Sequence, residues 1–106
     1  MEQRILRPID RIKAHLNQTY GDGIKRVILY GSYARGEATK DSDVDVLVLT
    51  APSVNPSEVR ESLSDLLYDI IMEEGELISV MVISQEYFEN HNFAFMLNVR
   101  KERVPV

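Results

Sequence analysis

The run Val44–Thr50, VDVLVLT, constrains this chain more than any other segment. Its apolar residues occupy both alternations, so neither face of such a strand suits water. It reads as a central strand that helices must cover. The remaining periodicities supply those helices. Ile5, Ile9, Ile12, Leu16 and Tyr20 recur every three or four residues, one face of an amphipathic helix that Gly21 and Gly23 stop.

Lys25–Tyr30 (KRVILY) is short and β-branched, and predicts a buried strand. Gly31 to Asp41 predicts a turn and a short helix. Asn55 is placed to cap a helix with Pro56 at its first position. Val59, Leu63, Leu66, Leu67, Ile70 and Ile71 give that helix one apolar stripe, which Gly75 ends. Leu77–Ile83 (LISVMVI) predicts a third strand. Ser84 and Asn92 are placed to cap two short helices, through Asn90 and about Lys101. The order α-β-α-β-α-β-α-α implies an α/β (α+β) fold, with a small mixed sheet of three or more strands flanked by helices.

At 106 residues this is the length of one domain, 1–106, with no repeat and no linker. No cysteine is present, so disulfides, thiol catalysis and thiolate metal sites are excluded. Two distant histidines do not make a zinc site. No run approaches the roughly 20 apolar residues of a membrane span. The charged start MEQRILRPIDRIK lacks a signal-peptide core, and a cytoplasmic location is the default expectation. The net charge of -5 disfavours a nucleic-acid partner held by bulk charge. That charge is uneven. Residues 1–26 carry six Lys/Arg against three acids, and residues 37–76 carry eleven acids against two bases.

The chemistry lies in GSYARGEATKDSDVDVLVL, Gly31 to Leu49. Gly31 and Ser32 sit where a strand gives way to a helix. Backbone N–H groups there favour anions, phosphate above all. Gly31 permits close approach and the Ser32 hydroxyl adds a donor. Asp43 and Asp45, two apart at a strand entrance, point the same way. Adjacent carboxylates repel unless a cation neutralises them. Hard oxygen ligands suit magnesium, with substrate phosphates completing the shell. Phosphate cradle plus paired carboxylates is the constellation of phosphoryl or nucleotidyl transfer.

Competing readings of DSDVD fail on particular residues. An EF-hand loop would need glycine and, at its twelfth position, glutamate; Val46 and Pro52 stand there. A P-loop would need Gly-Lys-Ser/Thr, which is absent. An aspartate-rich turn accounts for Asp41 and Ser42. It does not account for Asp45, because a carboxylate within an apolar strand is costly without a partner.

Gly31-Ser32-x-Ala34-Arg35-Gly36, followed by Ser42-Asp43-x-Asp45, resembles the signature of the minimal nucleotidyltransferases of the DNA polymerase beta-like superfamily. The resemblance implies that Ser32 and the Gly31 backbone hold a triphosphate, with Ser42 part of the nucleotide-binding motif. It implies that Asp43 and Asp45 are catalytic and bind Mg2+. Arg35 is a further candidate for phosphate, against a pairing with Glu37 or an acid of a neighbouring loop. Active members place a third carboxylate on the next core strand. Ser79 best matches that position and is not acidic; Glu76 is the nearest acidic substitute.

The resemblance also implies a nucleoside triphosphate substrate, ATP first, and a hydroxyl of a partner protein as acceptor. The expected partner is a HEPN-domain toxin, with this chain as antitoxin. The alternative is a catalytically weak or inactive module that acts by stoichiometric binding. A template-directed or tRNA-tailing polymerase would need further domains to grip nucleic acid. Homo- or hetero-oligomers are both open. The stretch FAFMLNVRKERVPV holds more apolar surface than a short helix hides, so a partner or the chain's own core must cover it.

Among the other residues, Tyr30 and Tyr33 are expected to pack, with Tyr33 stacked on a base as the rival reading. Met72, Met81 and Met96 are expected in the core. His15 and His91 read as surface residues. Glu58, Glu61, Asp65, Asp69 and Glu73 read as a solvated helix face.

Overall fold

The computed structural model describes residues 3–106. Helix α1 (Gln3–Tyr20) leads through a turn at Gly21–Gly23 into strand β1 (Ile24–Tyr30). The short helix α2 (Ser32–Arg35) and a loop precede β2 (Val44–Thr50). Helices α3 (Pro56–Ser62) and α4 (Ser64–Glu74) return the chain to β3 (Ile78–Ser84). Helices α5 (Gln85–Asn90) and α6 (Ala94–Glu102) and strand β4 (Val104–Pro105) complete it.

The four strands form one mixed sheet in the order β3-β2-β1-β4. β1 runs antiparallel to β2 and β4, while β2 and β3 are parallel. The parallel pair needs a crossover, and α3 and α4 provide it.

β2 is covered on both faces, as its sequence demands. Val44, Val46 and Val48 join Ile5, Ile9, Ile12 and Leu16 of α1 and Val59, Leu63 and Ile70 of α3–α4 in one core. Leu47 and Leu49 join Ile28, Phe88, Met96 and Val99 in a second core under α5 and α6. Asp45 shares the alternation of Leu47 and Leu49, and so belongs to the second face.

Local chemistry sets most boundaries. The Asn55 side chain accepts the Ser57 N–H at 2.9 Å, and Ser84 Oγ accepts the Tyr87 N–H at 3.0 Å. Gly75 ends α4 in the left-handed region that side chains disfavour.

Four expectations need correction. The helix expected over residues 56–74 is two helices, broken at Leu63. Ser62 turns its hydroxyl onto the Val59 carbonyl at 2.8 Å, a side-chain bond that competes with the helix ladder. Asn92 does not cap α6. Phe93 holds that position, and the Asn92 side chain accepts from Arg100 instead. Only Met96 of the three methionines is in the core. Met72 is 67% exposed and Met81 lies on the open β3 edge. Strand β4 was not expected; it covers the outer edge of β1, and the Val106 N–H donates to the Val27 carbonyl at 3.0 Å.

The C-terminal apolar stretch divides. Met96 and Val99 fold back onto the core, and Phe93 and Leu97 remain outside. No helix among the described residues is long and apolar enough to cross a membrane.

The β2 core predicts a clear contrast. Leu47 is fully buried, so Leu47→Ala should lower unfolding free energy by about 2–5 kcal/mol. Tyr68 is exposed, and Tyr68→Ala should stay within about 0.5 kcal/mol of wild type. Urea unfolding of both variants measures the difference; equal midpoints would remove β2 from the centre of the fold.

Candidate functional site

The site forms at one end of the sheet, where β1 ends and β2 begins. Tyr30 pairs with Asp45 across the antiparallel ladder, and Asp45 pairs with Ser79 across the parallel one. A carboxylate thus sits mid-row between two hydroxyl-bearing residues. Asp43 lies just before β2 and is exposed, whereas Asp45 is half-buried.

Gly31 turns the chain at φ 75°, a conformation side chains rarely adopt. Space explains the residue as well. A Cβ built at Gly31 would collide with Asp45 Oδ2 and stand 3.2 Å from its Cγ. The absent side chain is the room that the Asp45 carboxylate fills. Ser32 opens α2, and its carbonyl accepts the Glu37 N–H at 2.9 Å.

Electrostatics follow from this crowding. Burial pushes the Asp45 carboxyl above its ordinary range. The negative charge of Asp43 adds to that rise, the Arg35 cation opposes it, and Glu102 adds further. Tyr30 is raised in turn, by burial first and then by Asp45.

The expected residues do not all converge. Gly31, Ser32, Asp43 and Asp45 come together. Arg35 joins them, but its guanidinium is occupied. Nε donates to Glu37 Oε2 at 3.3 Å, and Nη1 donates to Glu102 Oε2 at 2.9 Å. Ser42 closes the loop before β2 by accepting the Thr39 N–H at 2.9 Å. Ser79 stands beside Asp45 in β3, and its side is exposed. Glu76 is not at Asp45's side. It is buried and pairs with Arg4 of α1 at 3.6 Å, on the opposite side of the sheet.

Tyr33 packs rather than stacking on a base: it is buried, and its hydroxyl accepts from Arg4 Nη2 at 2.6 Å. His15 faces Ser62, 3.1 Å away, and His91 stacks on Tyr87. Neither histidine enters the site.

Two residues of the region escape sequence reasoning. Glu102, at the end of α6, accepts the Gly31 N–H at 3.2 Å. Arg4 donates to the Thr39 carbonyl at 2.7 Å and so fixes the loop that leads to Asp43. Both act across long separations in sequence, and no local spacing marks either.

The donor set fits a hard cation. Two carboxylates meet at one strand entrance, and the Arg35 guanidinium offsets their repulsion only in part, since Asp45 stays raised. Among the described residues, no three His, Cys, Asp or Glu side chains are grouped to hold a metal alone. A cation here would need oxygens from a bound phosphate or water.

Comparison with known proteins agrees with this fold. Residues 9–104 match the profile of a nucleotidyltransferase domain. A chain of Methanocaldococcus jannaschii, named for protein adenylyltransferase activity, is 34% identical over 88 residues, which span 82% of each chain. A solved structure described as a minimal nucleotidyltransferase superposes with a TM-score of 0.58 at 26% identity, covering 100% of this chain and 97% of its own. An antitoxin of this type, solved with an AMPylated HEPN toxin of Shewanella oneidensis, superposes with a TM-score of 0.57 at 14% identity. The match covers 97% of this chain and 71% of that one, and shows the fold.

Two outcomes follow from the site's crowding. Gly31→Ala should destabilise by about 1–3 kcal/mol, from backbone strain and from the displaced Asp45 carboxylate. Thermal unfolding measures it, and an unchanged midpoint would contradict the close approach. Asp45 is harder to ionise folded than unfolded, so its ionisation costs stability. That cost is absent below the unfolded carboxyl's range, near pH 4, and grows as pH rises through the higher folded value. Asp45→Asn should therefore be more stable than wild type at pH 7, with the gain shrinking toward pH 4. Denaturant midpoints at the two pH values decide this, and a pH-independent difference would count against it.

Proposed function

Because the chain belongs to the nucleotidyltransferase domain family, we propose that it binds a magnesium-complexed nucleoside triphosphate, ATP first, and transfers a nucleotidyl group to a protein hydroxyl. The observation that carries this reading is the meeting of Asp43 and Asp45 with the Gly31–Ser32 turn at one sheet end. Asp43 and Asp45 would hold magnesium, which neutralises phosphate charge and orients the reacting groups. Gly31 and Ser32 receive the triphosphate. The acceptor oxygen attacks the α-phosphorus, the bond to the bridging oxygen breaks, and pyrophosphate leaves with that electron pair. The acceptor's proton passes to a carboxylate of the site or to water.

The acceptor we favour is a HEPN-domain toxin, with this chain as its antitoxin. Support comes from the adenylyltransferase name of the Methanocaldococcus relative and from the fold shared with an antitoxin bound to an AMPylated HEPN toxin.

A second reading rests on Ser79. It occupies the β3 position beside Asp45, where a third carboxylate would strengthen the hold on metal and acceptor. A hydroxyl supplies no charge. On this reading the chain neutralises its partner by binding it, with weak turnover or none.

Calorimetric titration with ATP tests the first reading. Binding should require magnesium and weaken by about tenfold or more in Asp43→Ala and Asp45→Ala. Labelled ATP should then mark a HEPN partner with wild type and not with Asp43→Ala. Binding without label transfer favours the second reading, and ATP binding that survives loss of both aspartates would overturn the first.

A further inference from the structure

The groups placed to greet a triphosphate already hold an anion, and that anion belongs to the chain. The Gly31 N–H and Arg35 Nη1 both donate to one oxygen, Glu102 Oε2, at 3.2 and 2.9 Å. Glu102 lies 71 residues from Gly31, on the last turn of α6. Its charge is felt at Asp45, where it adds to the repulsion from Asp43. Asp45 thus feels two other carboxylates, Asp43 and Glu102, with the Arg35 guanidinium as the cation that tempers them.

Such a cluster is stable only while the site is empty of other anions. A triphosphate brings negative charge to the same N–H and the same guanidinium. It cannot share them with Glu102, since each charged acceptor repels the other at this range. We propose that Glu102 is an internal competitor of the nucleotide's phosphates, holding the site closed until its side chain swings away. The proposal rests on the nucleotide reading above and adds a regulation of that site.

Two features support a swing of the side chain rather than a loss of the helix. Met96 and Val99 anchor α6 in the second core, and β4 ties the following residues to β1. Arg35 and Glu102 themselves lie near the surface, where their pairing is screened and readily exchanged. When Glu102 leaves, Arg35 Nη1 and the Gly31 N–H are released together to phosphate oxygens.

The alternative role for Glu102 is the third metal-binding acid that β3 lacks. The two roles predict opposite signs. A competitor weakens nucleotide binding in the wild type, and its removal tightens binding. A metal ligand strengthens it, and its removal weakens binding.

The full chain and its Glu102→Gln, Glu102→Ala and Glu102→Asp variants should be titrated with Mg-ATP and with inorganic triphosphate. Unfolding midpoints check that each variant is folded. Glu102→Gln and Glu102→Ala should bind both ligands roughly 5- to 30-fold more tightly, as expected for release of a charged hydrogen-bonding competitor. Glu102→Asp, one methylene shorter, should shift in the same direction. An equal gain for inorganic triphosphate would locate the effect at the phosphates rather than the base. Unchanged or weakened binding in these variants would overturn the proposal. In that case, binding by wild type that is lost in Asp43→Ala would leave the nucleotide reading standing. Failure of every variant to bind would end both.

Discussion

A strand buried on both faces must carry a carboxylate, and the structure is arranged around that requirement. β2 is dry from Val46 onward, and Asp45 sits at the first place where one of its faces meets solvent. An ionised carboxylate deeper in the strand would be prohibitive. At the strand entrance it is only strained, through burial and through Asp43. Gly31 gives it room, the loop from Gly36 to Asp43 brings the second carboxylate near it, and Glu102 on the last turn of α6 adds its charge. The fold places charge as close to its interior as hydration allows. Active sites exploit this situation because a partly desolvated charge binds an incoming cation more strongly than a hydrated one.

Much of this arrangement was legible in the sequence. The stripe Ile5, Ile9, Ile12, Leu16 fixed α1 and its buried face, because period and apolar content agree there. Asn55 and Ser84 announced helix starts by their own hydrogen bonds. The spacing of Gly31, Asp43 and Asp45 marked the sheet end where these residues meet, because they are constrained locally by backbone and alternation. The illegible parts depend on distant partners. Glu102 reads as an ordinary terminal-helix acid until the tertiary fold lays it on Gly31. Glu76 lies close to the third-acid position in sequence, yet Arg4 draws it to the other side of the sheet. Met81 fits an apolar alternation and is nevertheless open to solvent, because β3 is an edge strand. Strand β4 is too short to leave a pattern.

The uneven charge of the sequence also finds its meaning in three dimensions. The basic face of α1 lies against the acidic end of α4. Arg11 meets Glu73 and Glu74 at 2.8 Å each, and Arg7 reaches Glu74 at 3.5 Å. Arg7 and Arg11 of the basic start are thus matched within the chain. The pair that Arg7 makes is exposed on the arginine side and contributes little to stability. The use of these pairs is directional: they fix how α1 lies across the sheet, and with it the position of Arg4.

Arg4 is where that alignment reaches the site. Its guanidinium touches the Tyr33 hydroxyl of α2 and the Thr39 carbonyl of the following loop, and it pairs with Glu76 at the entrance to β3. The first turn of α1, the stretch from Tyr33 to Thr39 and the entrance to β3 thus meet at one planar group. In mechanical terms it is a joint rather than a brace. A shift in the first turn of α1 moves Arg4 together with the buried Ile5, and reaches the loop bearing Asp43 through the Thr39 carbonyl. The separation of the two carboxylates is therefore geared to the position of the chain's first helix, and whatever grips that helix has a lever on the site.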